Sequence, residues 1–294
     1  MLTERTDFGA FALVAALVSL AANAAPGQIN LSARAAAAEL IGTRVAEISS
    51  KKLDPLNSYR QLGSDVLALG DIGPGAAARI QTAMTVAQQQ ADPAAAAATL
   101  EKALRWLESD IRFSPVIEAP LPADFPSPTL VDEVEVKSYP QYRMAVATSE
   151  SVKQQKAGRW WARGDNSLFF ALFDHINAKS IPMTTPVEMN VDETNRTQRM
   201  GFMYRNTQEG ATGPDGAVEV VDVPAAVVVS IGMRGYSNDA AVKAAKAKLH
   251  QYLATRPDLE PAGELRVMGW NSPSVSSARR YFEVQIPVRA KQAN

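Results

Sequence analysis

The chain has 294 residues, of which 46% are apolar and 21% charged, a composition typical of a globular protein with room for two modest domains. A net charge of −1 gives no overall attraction to nucleic acid or to an anionic membrane surface. The absence of cysteine excludes disulfides, thiolate metal sites, iron–sulfur clusters and cysteine nucleophiles, and it suits an oxidising compartment without requiring one.

Residues 1–25 are predicted to direct the chain out of the cytoplasm. The uncharged run Phe8–Leu20 is followed by Ala22-Asn23-Ala24, which together give the short apolar core and cleavage pattern of a signal peptide. The run from Phe8 to Ala25 is also just long enough to span a bilayer, so an uncleaved membrane anchor is the alternative. In both cases we expect the remainder of the chain to be exported, to the periplasm or the cell exterior.

Residues 31–112 are predicted to form a small all-α segment. The segment is rich in alanine, and Asp92-Pro93 is a typical helix start, with a capping aspartate before a proline at the first helical position. Apolar residues recur at helical spacing in two stripes, namely Ile41, Val45 and Ile48, and then Leu100, Leu104, Leu107 and Ile111. The glycine-rich run from Gly70 to Gly75 separates two helices. We predict a helical hairpin or bundle in which no residue pattern indicates chemistry.

Residues 113–129 are predicted to be an extended, semi-rigid linker between two domains. The stretch contains the prolines Pro115, Pro120, Pro122, Pro126 and Pro128. Proline lacks a backbone N–H and its ring fixes φ, so such a stretch cannot form a helix or a central strand.

The chain from residue 130 to 294 is predicted to be a second domain that mixes strands and helices. Alternation of apolar residues predicts strands at several places, namely Val134–Val136, Met144–Thr148, Val187–Val191, Met200–Tyr204, Val218–Val223, Val227–Met233, Leu265–Trp270 and Tyr281–Val288. Helical spacing predicts one helix over Leu168–Ile176 and another over Val242–Leu253.

The domain shows an internal similarity at an offset of 84 residues. Val134–Pro140 (VEVKSYP) and Val218–Pro224 (VEVVDVP) share Val, Glu, Val and Pro, and an apolar strand follows each copy. The same order of elements then follows in both halves, which favours two ββαββ repeats in one domain. We expect the two halves to fuse into a curved, partly closed β-barrel with both helices outside. A chance match of four residues in seven is the alternative.

Five motifs in this domain resemble, in order, those of the SOUL (heme-binding protein) family, over roughly Leu130 to Arg289. They are Val134–Pro140, Phe169–Ile176 (FFALFDHI), Lys179–Val187 (KSIPMTTPV), Val227–Gly235 (VVVSIGMRG) and Arg279–Val284 (RRYFEV). The resemblance implies an α+β fold, a two-repeat (ββαββ)2 twisted β-barrel of the SOUL type, here preceded by the small all-α segment. It also implies a shallow apolar cleft that binds heme, a porphyrin or a similar flat hydrophobic ligand. Gyrase-inhibitor-like modules of the wider superfamily bind hydrophobic cations and drugs instead.

The resemblance places the cleft between the first helix of the domain and the loop that joins its last two strands. Ligand-facing residues on the helix would be Phe169, Phe173 and Asp174, with Phe170 beside them. Trp270 and Val275 would face the ligand from the loop. Aromatic faces suit a flat macrocycle, although Phe169 and Phe173 at helical spacing are equally compatible with a role in the core.

Charge and iron ligation leave the ligand open. Asp174 and Val275 stand where the resemblance implies basic side chains for the heme propionates, so the positive charge would have to come from elsewhere, namely from Arg163, Lys179, Arg279 or Arg280. His175 lies on the same helix and is a candidate ligand-binding residue, with packing as an aromatic-like side chain as the alternative. His250 shares its helix side with lysines and is expected to be solvated.

No motif of a hydrolase, metalloprotease or nucleotide-binding enzyme is present, and Glu188 and Glu283 are isolated strand carboxylates. We therefore predict a non-enzymatic binder without catalytic residues or metal ligands, whose partner is a small hydrophobic ligand and not nucleic acid, with a possible membrane tether at its N-terminus. The alternatives are a small-molecule-modifying enzyme on the same barrel, with Asp174 as its carboxylate, and a protein-interaction module without a ligand.

Overall fold

The computed structural model describes residues 29–50, 54–154 and 167–291, which divide into two compact units. The helical unit contains residues up to Ser114 together with Leu130–Glu133. The sheet unit contains Pro115–Thr129 and the residues from Val134 onward. The predicted signal peptide or anchor and Arg163 lie outside the described residues. None of the helices within the described ranges is long and apolar enough to cross a membrane.

The described part of the helical unit contains four helices: α1 (Leu31–Ser50), α2 (Pro55–Ala68), α3 (Pro74–Gln89) and α4 (Pro93–Ile111). The predicted helix start at Asp92 is confirmed, because its carboxylate accepts from the amides of Ala94 and Ala95. Asp54 caps α2 in the same way. The apolar stripes predicted on α1 and α4 lie in one buried core, apart from the half-buried Ile111.

Residues 130–133 complete the helical unit by covering the start of α3. The buried Glu133 accepts hydrogen bonds from the amides of Gly75 (2.8 Å) and Ala76 (3.1 Å) and pairs with Arg34 (2.6 Å). A carboxylate at a helix N-terminus satisfies amides that have no partner within the helix. Gly75 has to be a glycine, because a Cβ there would lie 1.9 Å from the Asp132 carbonyl oxygen.

Within its described residues, the sheet unit contains ten strands and three α-helices, α5 (Ser149–Gln154), α6 (Ser167–Ala178) and α7 (Asp239–Ala254). The strands are β1 (Val134–Tyr139), β2 (Tyr142–Thr148), β3 (Val187–Val191), β4 (Thr197–Met203), β5 (Gly213–Asp215), β6 (Val218–Val223), β7 (Ala226–Arg234), β8 (Leu259–Pro261), β9 (Arg266–Gly269) and β10 (Tyr281–Ala290). All pairs are antiparallel, in the order β1-β7-β10-β9-β3-β4-β2-β6-β5, and β8 also pairs with β10.

The fold is α+β as predicted, but the predicted barrel is wrong, because the described strands form one open antiparallel sheet. Its two edges are β1 and β5. Closure would require a long hydrogen-bonded ladder between the edges. The strand β5 has only three residues, and Pro214 at its centre has no N–H to donate.

The order of elements also departs from the predicted ββαββ pattern, because the first half contains two helices and additional short strands are present. The strand register nevertheless follows the offset of 84 residues. Tyr139 of β1 pairs with Ala226 of β7, and Tyr142 of β2 pairs with Val223 of β6. Tyr139 and Val223 are 84 residues apart, as are Tyr142 and Ala226, so the two pairs occupy equivalent positions in the two halves. The β2–β4 and β7–β10 registers are related by the same offset.

The two faces of the sheet have different covers. Helices α6 and α7 pack on one face over aliphatic and aromatic side chains of the strands. Residues Pro115–Thr129, which we call the strap, pack on the other face. There Phe125 makes edge-to-face contacts with Tyr139 and Tyr142, at ring-centroid distances of 5.0 and 5.1 Å. The proline-rich segment is extended, and its residues belong to the sheet unit.

Candidate functional site

The helix α6 has one side in the core and another in solvent. Leu168, Leu172 and Ile176 follow helical spacing and are buried against β2, β4 and β6. Phe170 and Phe173 project from the other side, with 38% and 40% of their surface exposed. The helix therefore has enough apolar residues for packing and carries additional phenylalanines outside the core.

The three phenylalanines of α6 form one aromatic cluster. The rings of Phe169 and Phe173 stack at 5.8 Å with an interplanar angle of 14°, and Phe170 meets Phe169 edge to face at 5.9 Å. Phe169 is half-buried and also contacts Phe202 of β4 at 5.2 Å, which anchors the cluster to the sheet. An exposed, contiguous aromatic patch of this kind is typical of a binding surface.

The start of the β9–β10 loop lies two strands away from this cluster. Phe202 of β4 is directly paired with Val187 of β3, and Val187 is directly paired with Gly269 of β9. Because neighbouring strands are spaced by about 5 Å, Phe202 and Gly269 are separated by roughly 10 Å. The sheet thus places the aromatic cluster and the β9–β10 loop on adjacent parts of one surface.

Trp270 and Val275, both predicted to face the ligand, have different environments. Trp270 is only 2% exposed and packs edge to face on Tyr281 at 5.9 Å, so it belongs to the core beneath the loop. Its buried indole N–H has no hydrogen-bond partner among the described residues. Val275 is half-buried in the loop, and its carbonyl oxygen accepts from Arg280 Nε at 2.7 Å.

The motif Met183-Thr184-Thr185-Pro186-Val187 fixes the distance between these elements. The Thr184 hydroxyl donates to the carbonyl of Met203 at the end of β4 (2.6 Å). The Thr185 hydroxyl donates to the carbonyl of Trp270 at the end of β9 (3.0 Å). Both threonines are buried, so this motif ties the three neighbouring strands together at the edge of the aromatic cluster.

His175 points away from the phenylalanines into a separate cavity of about 320 Å3. Its Nδ1 lies 2.9 Å from Asp215 Oδ2 and its Nε2 lies 2.8 Å from the Tyr204 hydroxyl. Since the carboxylate only accepts, Nδ1 donates to it, and in the neutral ring Nε2 accepts from Tyr204. Both ring nitrogens are therefore engaged, and the imidazole is 7% exposed.

The charges around His175 favour a structural contact over acid–base chemistry. Hydrogen bonds from Lys179 and then from His175 hold the pKa of Asp215 below its usual range. Burial raises the pKa of Tyr204 to about 12, so this hydroxyl keeps its proton at neutral pH. The three side chains thus tie the C-terminal end of α6 to the edge strand β5.

Asp174 is exposed on α6 beside Phe173, and it takes part in an interaction of its own. The positive charges near the predicted cleft lie on the loop instead. Arg279 is exposed, and the Arg280 guanidinium lies 4.4 Å from the ring centre of Tyr236.

Sequence reasoning missed a buried polar network on the strap side of the sheet, in which Glu283 is not isolated. This fully buried carboxylate accepts five hydrogen bonds, from Lys137 Nζ (2.9 Å), the Thr129 amide (2.7 Å), the Tyr281 hydroxyl (3.0 Å), Gln285 Nε2 (2.7 Å) and the Ser230 hydroxyl (3.2 Å). Burial raises the pKa of Tyr281 well above its usual value. With its oxygens occupied, Glu283 anchors the strap and is unsuited to acid–base catalysis.

Glu188 is likewise paired. It accepts from Arg266 (2.8 Å), from Arg199 (2.8 Å) and from the Tyr142 hydroxyl (3.1 Å). Burial raises the pKa of Tyr142 to about 12. Both strand carboxylates considered in the sequence are therefore parts of the fold. The buried cations that pair with them, Lys137 for Glu283 and Arg266 for Glu188, lie 146 and 78 residues away, which explains why no local pattern revealed these pairs.

A heme-sized ligand can be tested against these residues. The exposed phenylalanine stack fits a flat aromatic ring, and the arginines of the loop fit carboxylate groups. Ligation of an iron by histidine is not supported, since both nitrogens of His175 are engaged and His250 is exposed on α7. Within the described residues, no cluster of three or more His, Asp or Glu side chains could hold a metal ion.

Comparison with known proteins gives one family match. The sequence pattern of the SOUL heme-binding protein family matches residues 125–287 of this chain. Comparison with curated proteins found no match to this chain.

Solved structures show weaker likenesses. The EcmrR chain in a DNA complex is 14% identical, with 53% of this chain and 57% of that chain covered and a TM-score of 0.38, so the likeness spans little more than half of EcmrR. A hydrolase from Listeria innocua is 12% identical (55% and 93% covered, TM-score 0.38). SAV2435 bound to tetraphenylphosphonium is 12% identical (53% and 94% covered, TM-score 0.32). At these scores the likenesses carry no argument about function.

Proposed function

Because the chain belongs to the SOUL heme-binding protein family, we propose that the phenylalanine face of α6 binds heme, a porphyrin or a similar flat apolar ligand. The observation that supports this most directly is the aromatic cluster of Phe169, Phe170 and Phe173, of which Phe170 and Phe173 are exposed. Covering such a patch with a planar ligand removes apolar surface from water and adds ring stacking.

The ligand is proposed to bind through its ring and not through a histidine–iron bond. His175 is held by Asp215 and Tyr204, so releasing a nitrogen for iron would break one of two buried hydrogen bonds. The proposal therefore predicts that metal-free protoporphyrin IX and hemin bind with comparable affinity. Arg279 and Arg280 are the proposed partners of the ligand's carboxylates.

The proposed role is binding without turnover. The buried carboxylates Glu188 and Glu283 are paired with arginine and lysine, and Tyr204 retains its proton at neutral pH. We also propose, from the sequence of residues 1–25, that the protein acts outside the cytoplasm. Cell fractionation with an antibody against the chain tests this, and recovery in the cytoplasmic fraction alone would contradict it.

Titration with hemin and with protoporphyrin IX tests the ligand. We expect a Soret shift for hemin and quenching of tryptophan fluorescence for both, with micromolar dissociation constants. The double variant Phe170→Ser/Phe173→Ser should bind at least about tenfold more weakly, equivalent to about 1.4 kcal/mol. Val86→Ser is the matched control, because Val86 is an apolar residue of similar exposure (39%) but lies on α3 of the helical unit.

Two results would count against the proposal. One is the absence of spectral change with either ligand at micromolar concentration. The other is equal binding by the wild type and the double phenylalanine variant, which would move the ligand away from α6.

A further inference from the structure

The β9–β10 loop is held by the strap, at residues that precede the family match. Both carboxylate oxygens of Glu118 accept hydrogen bonds from Ser272, one from its amide (2.6 Å) and one from its hydroxyl (2.8 Å). One residue earlier in the loop, the Asn271 side-chain amide donates to the carbonyl of Val116 (2.7 Å). Since the family match begins at residue 125, these contacts come from a part of the chain that the family pattern does not cover.

The same loop is held from its other end by Arg280. This guanidinium donates to the carbonyl oxygens of Val275 (2.7 Å) and Ser272 (3.2 Å). Ser272 is therefore fixed twice, with its amide and hydroxyl on Glu118 and its carbonyl on Arg280. Removing the Glu118 contact leaves the first part of the loop without its charged acceptor.

The electrostatics keep Glu118 ionised at neutral pH. The Ser272 amide, and to a smaller extent the hydroxyl of Ser272, the side chain of Asn271 and the charge of Arg280, hold the pKa of Glu118 below its usual range. Desolvation opposes this shift and ranks second to the Ser272 amide, but the net effect lowers the pKa of Glu118. Hydrogen bonds from an amide and a hydroxyl to an ionised carboxylate are stronger than those between neutral groups.

We propose that Glu118 is a positioning residue, which holds the β9–β10 loop in the conformation that receives the ligand. The inference rests on the proposed function, because it assumes that the ligand lies between α6 and this loop. The strap, which begins before the residues matched by the family, would thereby set the conformation of the β9–β10 loop. A preformed loop loses less conformational freedom on binding than a free one, so the contact raises affinity without touching the ligand.

The test compares Glu118→Gln with the matched control Glu260→Gln. Glu260 lies on β8 and pairs with Arg289, so this control also removes one charge from an exposed ion pair of the same unit. We expect the dissociation constant for protoporphyrin IX at neutral pH to rise roughly three- to tenfold in Glu118→Gln and to stay unchanged in the control. Thermal midpoints of the ligand-free proteins show whether folding is affected.

The Ser272 amide resonance gives a second readout that is independent of the ligand. In the wild type its chemical shift should titrate with a midpoint below the ordinary glutamate pKa, as Glu118 becomes protonated. In Glu118→Gln this titration should disappear, and hydrogen exchange at Ser272 should become faster.

The possible failures are distinguishable. A wild type that does not bind porphyrin overturns both the proposed function and this role of Glu118. A wild type that binds, together with an unchanged dissociation constant in Glu118→Gln, overturns the positioning role alone. A variant Glu118→Gln that loses both thermal stability and affinity is judged by the Ser272 amide resonance. If the pH titration of that resonance persists in the variant, Glu118 is not the group that Ser272 contacts, and the proposal is overturned.

Discussion

The helices α6 and α7 pack on the same face of one sheet but expose different kinds of side chain to solvent. Their buried sides are alike, with Leu168 and Leu172 on α6 and Ala245 and Leu249 on α7, in each case four residues apart. The residue after each buried one differs. On α6 these residues are Phe169 and Phe173, whereas on α7 they are Lys246 and His250, both exposed.

This difference distinguishes the side chains that a helix needs for packing on the sheet from those that are available to a ligand. Helix α7 shows that a helix at such a place on the sheet needs no outer aromatic residues in order to pack. Among the described residues, Phe170 and Phe173 are therefore not required for packing of α6, and exposing them to water costs free energy that a ligand would recover. The asymmetry between two similarly packed helices is the strongest structural argument for a ligand on α6.

The largest expected effect is a loss of stability, and it tests whether the buried sides of α6 and α7 contribute equally to the core. Leu172→Ala and Leu249→Ala should each lower the free energy of unfolding by about 2–5 kcal/mol, because each removes a fully buried side chain and leaves a cavity. Urea unfolding monitored by circular dichroism measures both. If one of the two variants lost less than about 1 kcal/mol, the two helices would not be equivalent parts of the core.

A smaller effect tests the difference between the two outer sides. Phe173→His gives α6 the residue that α7 has at its corresponding surface position, and it should weaken protoporphyrin binding about tenfold, or about 1.4 kcal/mol. Its stability should change by less than about 1 kcal/mol, since Phe173 is 40% exposed. The reverse variant His250→Phe serves as control and should not create a second binding site, because Lys246 offers it no ring to stack on. Equal affinity of wild type and Phe173→His for protoporphyrin would show that the exposed phenylalanine that distinguishes α6 from α7 does not contribute to binding.

The smallest effect concerns the contact between α6 and β5. The pKa of Asp215 is lowered in the folded state, chiefly by Lys179, so its contribution to stability is present above the unfolded pKa and is lost as the pH falls through the folded pKa. Asp215→Asn should cost below about 1 kcal/mol at neutral pH, because the carboxylate is partly exposed. Thermal midpoints of wild type and variant should converge only when the pH falls below the ordinary aspartate pKa, because the folded-state pKa of Asp215 is lowered. A difference that persists in acid would assign the effect to packing.

The parts of the fold that sequence predicted are those with a local signal. Helices α6 and α7 and most long strands follow from the spacing of apolar residues within one element. The strands β5 and β8 have three residues each, too few for alternation to be recognised, and α5 has six, fewer than two helical turns. The strand β5 is not among those predicted from the sequence, although Pro214 in a three-residue strand is typical of a sheet edge, so the open sheet was not anticipated.

The site was predicted in part by resemblance, and the remainder depends on distant partners. The structure brings Phe169, Phe170 and Phe173 together, but it buries Trp270 in the core and turns His175 to the opposite side of α6. No local pattern could pair His175 with Asp215, 40 residues later, or Lys137 with Glu283, 146 residues later. Such contacts are set by the topology of the sheet.

The position of β10 has a consequence for how the chain is made. This strand follows all other strands of the unit in the chain, yet it lies inside the sheet between β7 and β9, and its Glu283 anchors the strap that left the ribosome more than 150 residues earlier. Until β10 emerges, β7 and β9 lack their common neighbour and the strap lacks its anchor. The sheet therefore cannot be completed before β10 is synthesised, and a nascent chain stalled before Tyr281 would expose the unpaired edges of two strands to other chains.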